Sequence, residues 1–259
     1  MKSPQVIEYI VNWLRNYSSE SKTDGFVIGI SGGIDSAVTS ELCALTGKKV
    51  ILLNMPIRQF KSEFDRSTEH INNLKNKYSN VSSHHLELTS VFENIENTFP
   101  KNIQDFLTMA NTRARLRMTA LYAFASHHKL LVAGTGNKVE DFGVGFFTKY
   151  GDGGVDISPI ADLYKTEVYT LAKELEIVES IQKAFPTDGL FSDGRSDEDQ
   201  IGATYPELEW AMEYIANKKN DSLSERQKKV MEIYRERHYS NLHKIIPIPV
   251  CIVPANLRK

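Results

Sequence analysis

Short unbroken apolar runs alternate with longer stretches in which apolar residues recur every three or four positions. Phe26-Val27-Ile28-Gly29-Ile30, Val50-Ile51-Leu52-Leu53-Asn54, a piece near His84 to Leu88, and Leu130-Leu131-Val132-Ala133-Gly134 read as strands. A short strand with no polar alternation is one buried on both faces, as in a parallel sheet. Val6, Ile7, Ile10, Val11 and Leu14 line one face of a first helix, with Ser3-Pro4 as N-cap and first helical position. Further helical patterns run from Ala37 to Gly47 and from about Ser62 to Tyr78. In a long Ala-rich stretch, Leu107, Ala114, Met118, Leu121 and Ala125 form the expected core stripe. Val155 to Ser158 reads as a fifth extended piece, followed by helices near Lys165 to Leu175, Pro206 to Ile215 and Ser222 to Arg237. Strand–helix alternation predicts an α/β fold: a doubly wound, mostly parallel sheet with C-terminal helices. No repeat or Pro/Gly/Ser-rich linker interrupts it, so residues 1–259 are expected to form one domain.

The junction of the first strand with its helix carries the most chemistry. Gly29 and Ile30 lead into Ser31-Gly32-Gly33-Ile34-Asp35-Ser36, and a helical pattern follows at once. A strand, a glycine turn and a helix N-terminus together aim backbone N–H groups and a positive dipole end at one point, the place for a phosphate. Gly32 and Gly33 allow close approach, and Ser31 and Ser36 add hydroxyl donors. The common ATP loop ends in Gly-Lys-Ser/Thr. Here no Lys lies between Ser31 and Ser40, and Asp35 stands inside the loop. A carboxylate among phosphates calls for a divalent cation between them, Mg²⁺ being the expected one.

Open α/β sheets bind ligands at the carboxyl ends of strands where strand order reverses. In an order 3-2-1-4 the other side of that crevice is Thr135-Gly136-Asn137-Lys138-Val139-Glu140-Asp141. Glu140 then either shares a metal with Asp35 or is simply a carboxylate at a helix N-terminus. Arg113 and Arg117 share one flank of the long helix and Arg115 the other, so the three do not grip one phosphate. Gly143 to Asp156 gathers glycines, aromatics, Lys149, Asp152 and Asp156; its aromatic faces suit a flat heteroaromatic ring.

Composition narrows the partners. Hydrophobic content of 41%, charged content of 25% and a net charge of −2 describe an ordinary globular chain whose overall field attracts neither nucleic acid nor a membrane surface. Cys43 and Cys251 alone make a disulfide framework or zinc cluster unexpected. Glu8 and Arg15 interrupt the first apolar stretch, and Pro247, Pro249 and Pro254 break the last, so no signal peptide or span is read and a cytoplasmic location is expected. The C-terminal run suits either a contact surface or a core-facing tail.

The loop Ser-Gly-Gly-x-Asp-Ser resembles that of the ATP pyrophosphatases. Together with Asn111 to Met118, Gly134 to Glu140, Gly145-Phe146-Phe147-Thr148-Lys149-Tyr150-Gly151-Asp152, Leu163-Tyr164-Lys165, Pro186-Thr187-Asp188-Gly189-Leu190, Asp197-Glu198 and His243-Lys244, the chain from about Val6 to Lys244 is similar to the ammonia-dependent NAD⁺ synthetase family. The resemblance implies an adenine nucleotide alpha hydrolase-like fold and ATP-dependent amidation of deamido-NAD⁺ by ammonia through an acyl-adenylate. It implies ATP contacts from Gly29, Ser31, Gly32, Gly33, Asp35, Ser36, Arg115, Thr135, Lys165 and Thr187, with Mg²⁺ on Asp35 and Glu140. Phe146, Lys149, Asp152, Asp156, His243 and Lys244 are implied around the dinucleotide, and Asp35, Asp152 and Lys165 in catalysis. Asp188 to Asp199 is implied as a cover, and a homodimer as the assembly. The chain leaves no room for a glutamine amidase domain, so free ammonia is the expected donor. Where many relatives read Arg-Leu-Pro after the second strand, this chain reads Asn54-Met55-Pro56, with Arg58 as the nearest replacement for an adenine-side arginine.

Overall fold

The structure, a computed structural model, describes residues 1–184, 197–218 and 222–258. In chain order the elements are α1 (Ser3–Glu20), β1 (Gly25–Gly29), α2 (Ile34–Leu45), β2 (Lys49–Asn54), α3 (Lys61–Lys77), β3 (Val81–His85), α4 (Thr89–Thr98), α5 (Phe106–His128) and β4 (Leu130–Val132). A π-helical turn (Lys138–Val144) follows, then α6 (Lys165–Glu174), α7 (Glu179–Gln182), α8 (Asp197–Ile201), α9 (Tyr205–Ala216) and α10 (Glu225–Ile245). The strands pair in parallel in the order β3-β2-β1-β4. Phe26 pairs with Val50 on one side and Leu131 on the other, which places the reversal of strand order beside β1.

Strand alternation divides the core. Phe26, Ile28, Val50 and Leu52 face the layer of α1, α2, α3 and α6, where Leu14, Val38, Leu42, Leu74 and Leu171 are fully buried. Val27, Ile51 and Leu53 face the opposite side, covered by α5 through Ala125, Leu121 and Phe124. A separate smaller core joins the π-helical turn to α9 and α10 through Val139, Val144, Tyr205, Leu208 and Val230.

Four local readings need correction. The first helix begins at Ser3, with Lys2 as its N-cap, so Ser3 is already helical and Pro4 sits one place further in. β3 lies earlier than expected because ladder-like hydrogen bonds continue past it: Leu86 donates to the Asn54 carbonyl at 2.8 Å and Leu88 to that of Pro56 at 3.0 Å, without a further strand. The fifth extended piece is reduced to a single bridge, Ala133 with Ile157, because the Asp156 side chain takes the Val132 N–H at 2.8 Å. On α5 the residues that bury are Met109, Ala110 and Ala125, while Leu107 is 66% exposed. Ala114 and Met118 of the expected stripe turn toward the glycine-rich segment, while Leu121 and Ala125 stay on the sheet: a Cβ on Gly151 would lie 2.8 Å from that of Ala114, and one on Gly154 would lie 3.1 Å from Met118.

Candidate active site

Three elements that leave the carboxyl edge of the sheet converge on one ammonium group. Asp35 lies in the first turn of α2, Glu140 in the first turn of the π-helical turn, and Lys165 opens α6. Lys165 Nζ donates to Asp35 Oδ2 at 2.5 Å and to Glu140 Oε1 at 2.9 Å. A lysine at a helix N-terminus opposes the dipole, so two acids are what make the position tenable. Asn137, fully buried, ties the arrangement together: Oδ1 accepts the N–H groups of Val139 and Glu140, and Nδ2 donates to Asp35 Oδ1 at 3.1 Å. Glu140 is therefore both a helix N-terminal carboxylate and a neighbour of Asp35.

The proton affinities follow from this placement. Burial pushes the Asp35 carboxyl above its usual range against the pull of Lys165. Burial acts the same way on Glu140, but the Lys165 charge and a hydrogen bond from Tyr205 outweigh it and hold that carboxyl low. Lys165, although buried, is held charged by the two acids. Tyr205 completes the group: its hydroxyl donates to Glu140 Oε1 at 2.6 Å, lies 3.3 Å from Asp197 Oδ2, and its ring sits 5.0 Å from the Lys165 ammonium.

The phosphate loop is prearranged by its own serines. Ser31 Oγ accepts the Gly33 N–H at 3.1 Å and shares a hydrogen bond with Ser36 Oγ at 3.1 Å, while Ser36 Oγ donates to the Gly33 carbonyl. Gly32 has φ +87°, and a Cβ there would lie 2.5 Å from the Glu63 carbonyl oxygen, so glycine is required. Gly29 precedes the loop at the end of β1, next to Met55. Across the crevice Thr135 is half-buried after β4. A Cβ on Gly136 would strike the Asp141 carboxylate at 2.0 Å. Burial, with Glu140, Asp152 and Asp35 nearby, raises the Asp141 carboxyl well above its ordinary value.

A second group of expected residues forms around the 145–152 segment. Lys244 Nζ donates to the carbonyls of Gly145 and Phe147 at 2.6 and 2.8 Å, and burial lowers its pKa. Lys149 Nζ donates to the His243 carbonyl at 2.5 Å, which clamps the end of α10 to this segment. Arg115 Nε donates to the Lys149 carbonyl at 3.2 Å. Phe146 packs against the smaller core. Asp152 accepts the Thr148 N–H at 3.0 Å; removal from bulk water raises its carboxyl against that bond, although the residue keeps an exposed edge. Asp156 is engaged by the Val132 N–H and the Tyr122 hydroxyl, which ties it to the edge of the sheet. Thr187 and residues 188–196 of the implied cover lie outside the described residues. Arg58, the nearest replacement for an adenine-side arginine, makes a forked pair with Glu96 and a contact with Glu93. Arg117 instead lies beneath the loop after β2, its Nε on the Met55 carbonyl and its pKa pushed down to about 10 by burial.

Sequence reasoning did not assign Asn137 or Tyr205 a part. Asn137 carried a usable signal, an N-cap residue ahead of Val139-Glu140. Tyr205 carried none, being far from its partners along the chain.

This combination defines a class: an α/β nucleotide-binding protein whose phosphate loop carries a carboxylate in the first turn of its helix and draws its lysine from a later one. The NAD synthase family model matches residues 6–245, and the chain belongs to that family. It is 40% identical over 234 residues to the NH(3)-dependent NAD(+) synthetase of Mycoplasma genitalium, covering 88% of each chain. It is 42% identical over 208 residues to the protein of the same name from Sulfurisphaera tokodaii, covering 79% of this chain and 71% of that one. Among solved structures it is similar to the NMN synthetase of Francisella tularensis, with a TM-score of 0.85 and 30% identity over 98% of this chain and 99% of that one. The NH3-dependent NAD synthetase of Campylobacter jejuni shares the fold at a TM-score of 0.80.

Proposed function

We infer that this chain is an ammonia-dependent NAD⁺ synthetase, a ligase that amidates deamido-NAD⁺ at the expense of ATP, giving NAD⁺, AMP and pyrophosphate. The observation that carries the reading is the convergence of Asp35, Glu140 and Lys165 at the phosphate loop, within a chain that matches the family over residues 6–245. A carboxylate does not expel oxide, so it must first be activated. The nicotinate oxygen attacks the α-phosphorus, the bond to the bridging oxygen breaks, and pyrophosphate leaves. Ammonia then attacks the acyl carbon and AMP departs.

The loop N–H groups, Ser31 and Ser36 hold the phosphates, and Lys165 neutralises charge that develops on them. Arg115, Thr135 and Thr187 are assigned to the remainder of ATP. Phe146, Lys149, Asp156, His243 and Lys244 are assigned to the dinucleotide. Asp152, with its raised proton affinity and open edge, binds ammonium and takes its proton so that neutral NH₃ attacks. Among the described residues no cluster of three or more His, Cys, Asp or Glu gathers to hold a metal. Two carboxylates that already enclose a cationic head are hard oxygen donors of the kind Mg²⁺ takes. Asp35 and Glu140 would hold that ion, which when bound supplies charge neutralisation on the phosphates.

The Francisella likeness favours nicotinic acid mononucleotide as a second acceptor to assay. Residues 1–259 act as one catalytic unit in this reading, assembled as a homodimer in the cytoplasm; among the described residues no helix is long and apolar enough to cross a membrane. The test separates the two half-reactions. Asp35→Asn and Glu140→Gln should each lower adenylate formation at least about 100-fold. Asp152→Asn should keep adenylate formation and lose amination. Full turnover in either of the first two removes the phosphate-site assignment, and normal amination by the third removes Asp152 as the ammonium base.

A further inference from the structure

Two side chains outside the phosphate loop hold its carbonyls. Gln59 Nε2 donates to the Ser31 carbonyl at 3.1 Å, and Arg66 Nε, from α3, donates to that of Gly32 at 3.2 Å. Both contacts fix loop carbonyls from the side of β2 and α3, while inside the loop the Gly33 N–H is held by Ser31 Oγ. Arg66 differs from Gln59 in bringing a charge. Only its Nε is used; among the described residues Nη1 and Nη2 have no hydrogen-bond partner.

The other cations near the crevice already have partners within the protein, including Arg115 and Lys165, which are assigned to ATP above. Arg58 pairs with Glu96 and Glu93, Arg115 serves the Lys149 carbonyl, and Arg117 serves that of Met55. Lys61 pairs with Asp65, and Lys165 is bound between two acids. The site also holds Asp141 and Asp152, so its own charge opposes a polyanion. A leaving pyrophosphate needs positive charge on its non-bridging oxygens, and a guanidinium fork fits them.

We propose that Arg66 is a pyrophosphate-binding residue: Nε orients the loop while Nη1 and Nη2 take oxygens of the β- and γ-phosphates. The assignment rests on the function inferred above and adds a residue to it. It is tested with inorganic pyrophosphate as the probe, by inhibition against ATP and by calorimetric binding to the intact enzyme. The variants are Arg66→Gln, Arg66→Lys and, as a control of equal charge change, Arg58→Gln. Arg66→Gln should weaken pyrophosphate roughly tenfold or more and raise KM for ATP in step, with KM for the dinucleotide held within about twofold. Arg66→Lys should recover part of the loss, and Arg58→Gln should match the wild type. Unchanged pyrophosphate affinity in Arg66→Gln overturns the assignment. So does an equal loss in both Arg66 variants with the dinucleotide KM rising alongside, which would mark loop collapse. A wild-type enzyme that releases no pyrophosphate overturns the function as well.

Discussion

A buried lysine between two carboxylates is the residue-scale feature on which the chemistry turns, and a second buried group reports on the fold around it. His70, fully buried on α3, shares a hydrogen bond of 2.9 Å with Ser40 on α2, and burial lowers its pKa to about 4. The unfolded chain, with an ordinary imidazole near 6.5, binds more protons than the folded one between these values. This contribution to stability is therefore intact above pH 6.5 and lost as pH falls toward 4. At pH 5 the loss is about 2 kcal/mol relative to pH 7. Urea midpoints at the two pH values check it: His70→Asn should flatten the difference, and an unchanged slope in that variant would assign the acid sensitivity elsewhere.

At the scale of elements, the hinge of the site is the contact between the π-helical turn and α10. Gly145 has φ +62°, and a Cβ there would lie 2.4 Å from that of Asn241. Asn241 Nδ2 also donates to the Val144 carbonyl at 3.0 Å. Gly145→Ala should cost roughly 2–4 kcal/mol from the left-handed backbone and the displaced helix. Thermal unfolding would show the cost, and dinucleotide KM should rise with it; a variant as stable as the parent would mean that α10 shifts freely. The sheet and the phosphate loop were legible because they are local: continuous apolar runs, a strand–glycine–helix junction, a serine on each side of it. The order 3-2-1-4, supposed in the sequence in order to place the segment after Gly134 across the crevice, is the order observed. What was not legible depends on partners distant in sequence. Tyr205 meets Glu140 only because α9 packs on the π-helical turn. The pairing of Arg58 was likewise hidden, since Glu93 and Glu96 stand on α4, more than thirty residues away. The α5 stripe holds at its C-terminal end, where Leu121 and Ala125 pack on the sheet, and fails at Leu107, which is 66% exposed.

At the scale of the whole molecule, two groups of exposed apolar side chains stand out among the described residues. Phe99, Ile103, Phe106 and Leu107 are 39–66% exposed around the start of α5, and Ile248, Val250 and Ile252 of the C-terminal tail are 66–78% exposed. Apolar patches of this kind suit a second copy of the chain, as the proposed homodimer would need. Sedimentation should give twice 29.3 kDa. Phe106→Glu with Leu107→Glu should shift it toward the monomer, whereas a wild-type monomer at micromolar concentration would remove the dimer. In the proposed reaction Asp35 and Glu140 at the carboxyl edge of the sheet, with Lys165 from α6, serve cleavage of ATP between its α- and β-phosphates, coupled to amide formation. Phosphorus NMR of a reaction with ATP, deamido-NAD⁺ and ammonium salt tests it most directly. AMP and pyrophosphate should form in equal amounts with the new amide, and neither without the acceptor; ADP and phosphate, or hydrolysis independent of the acceptor, would rule this reaction out.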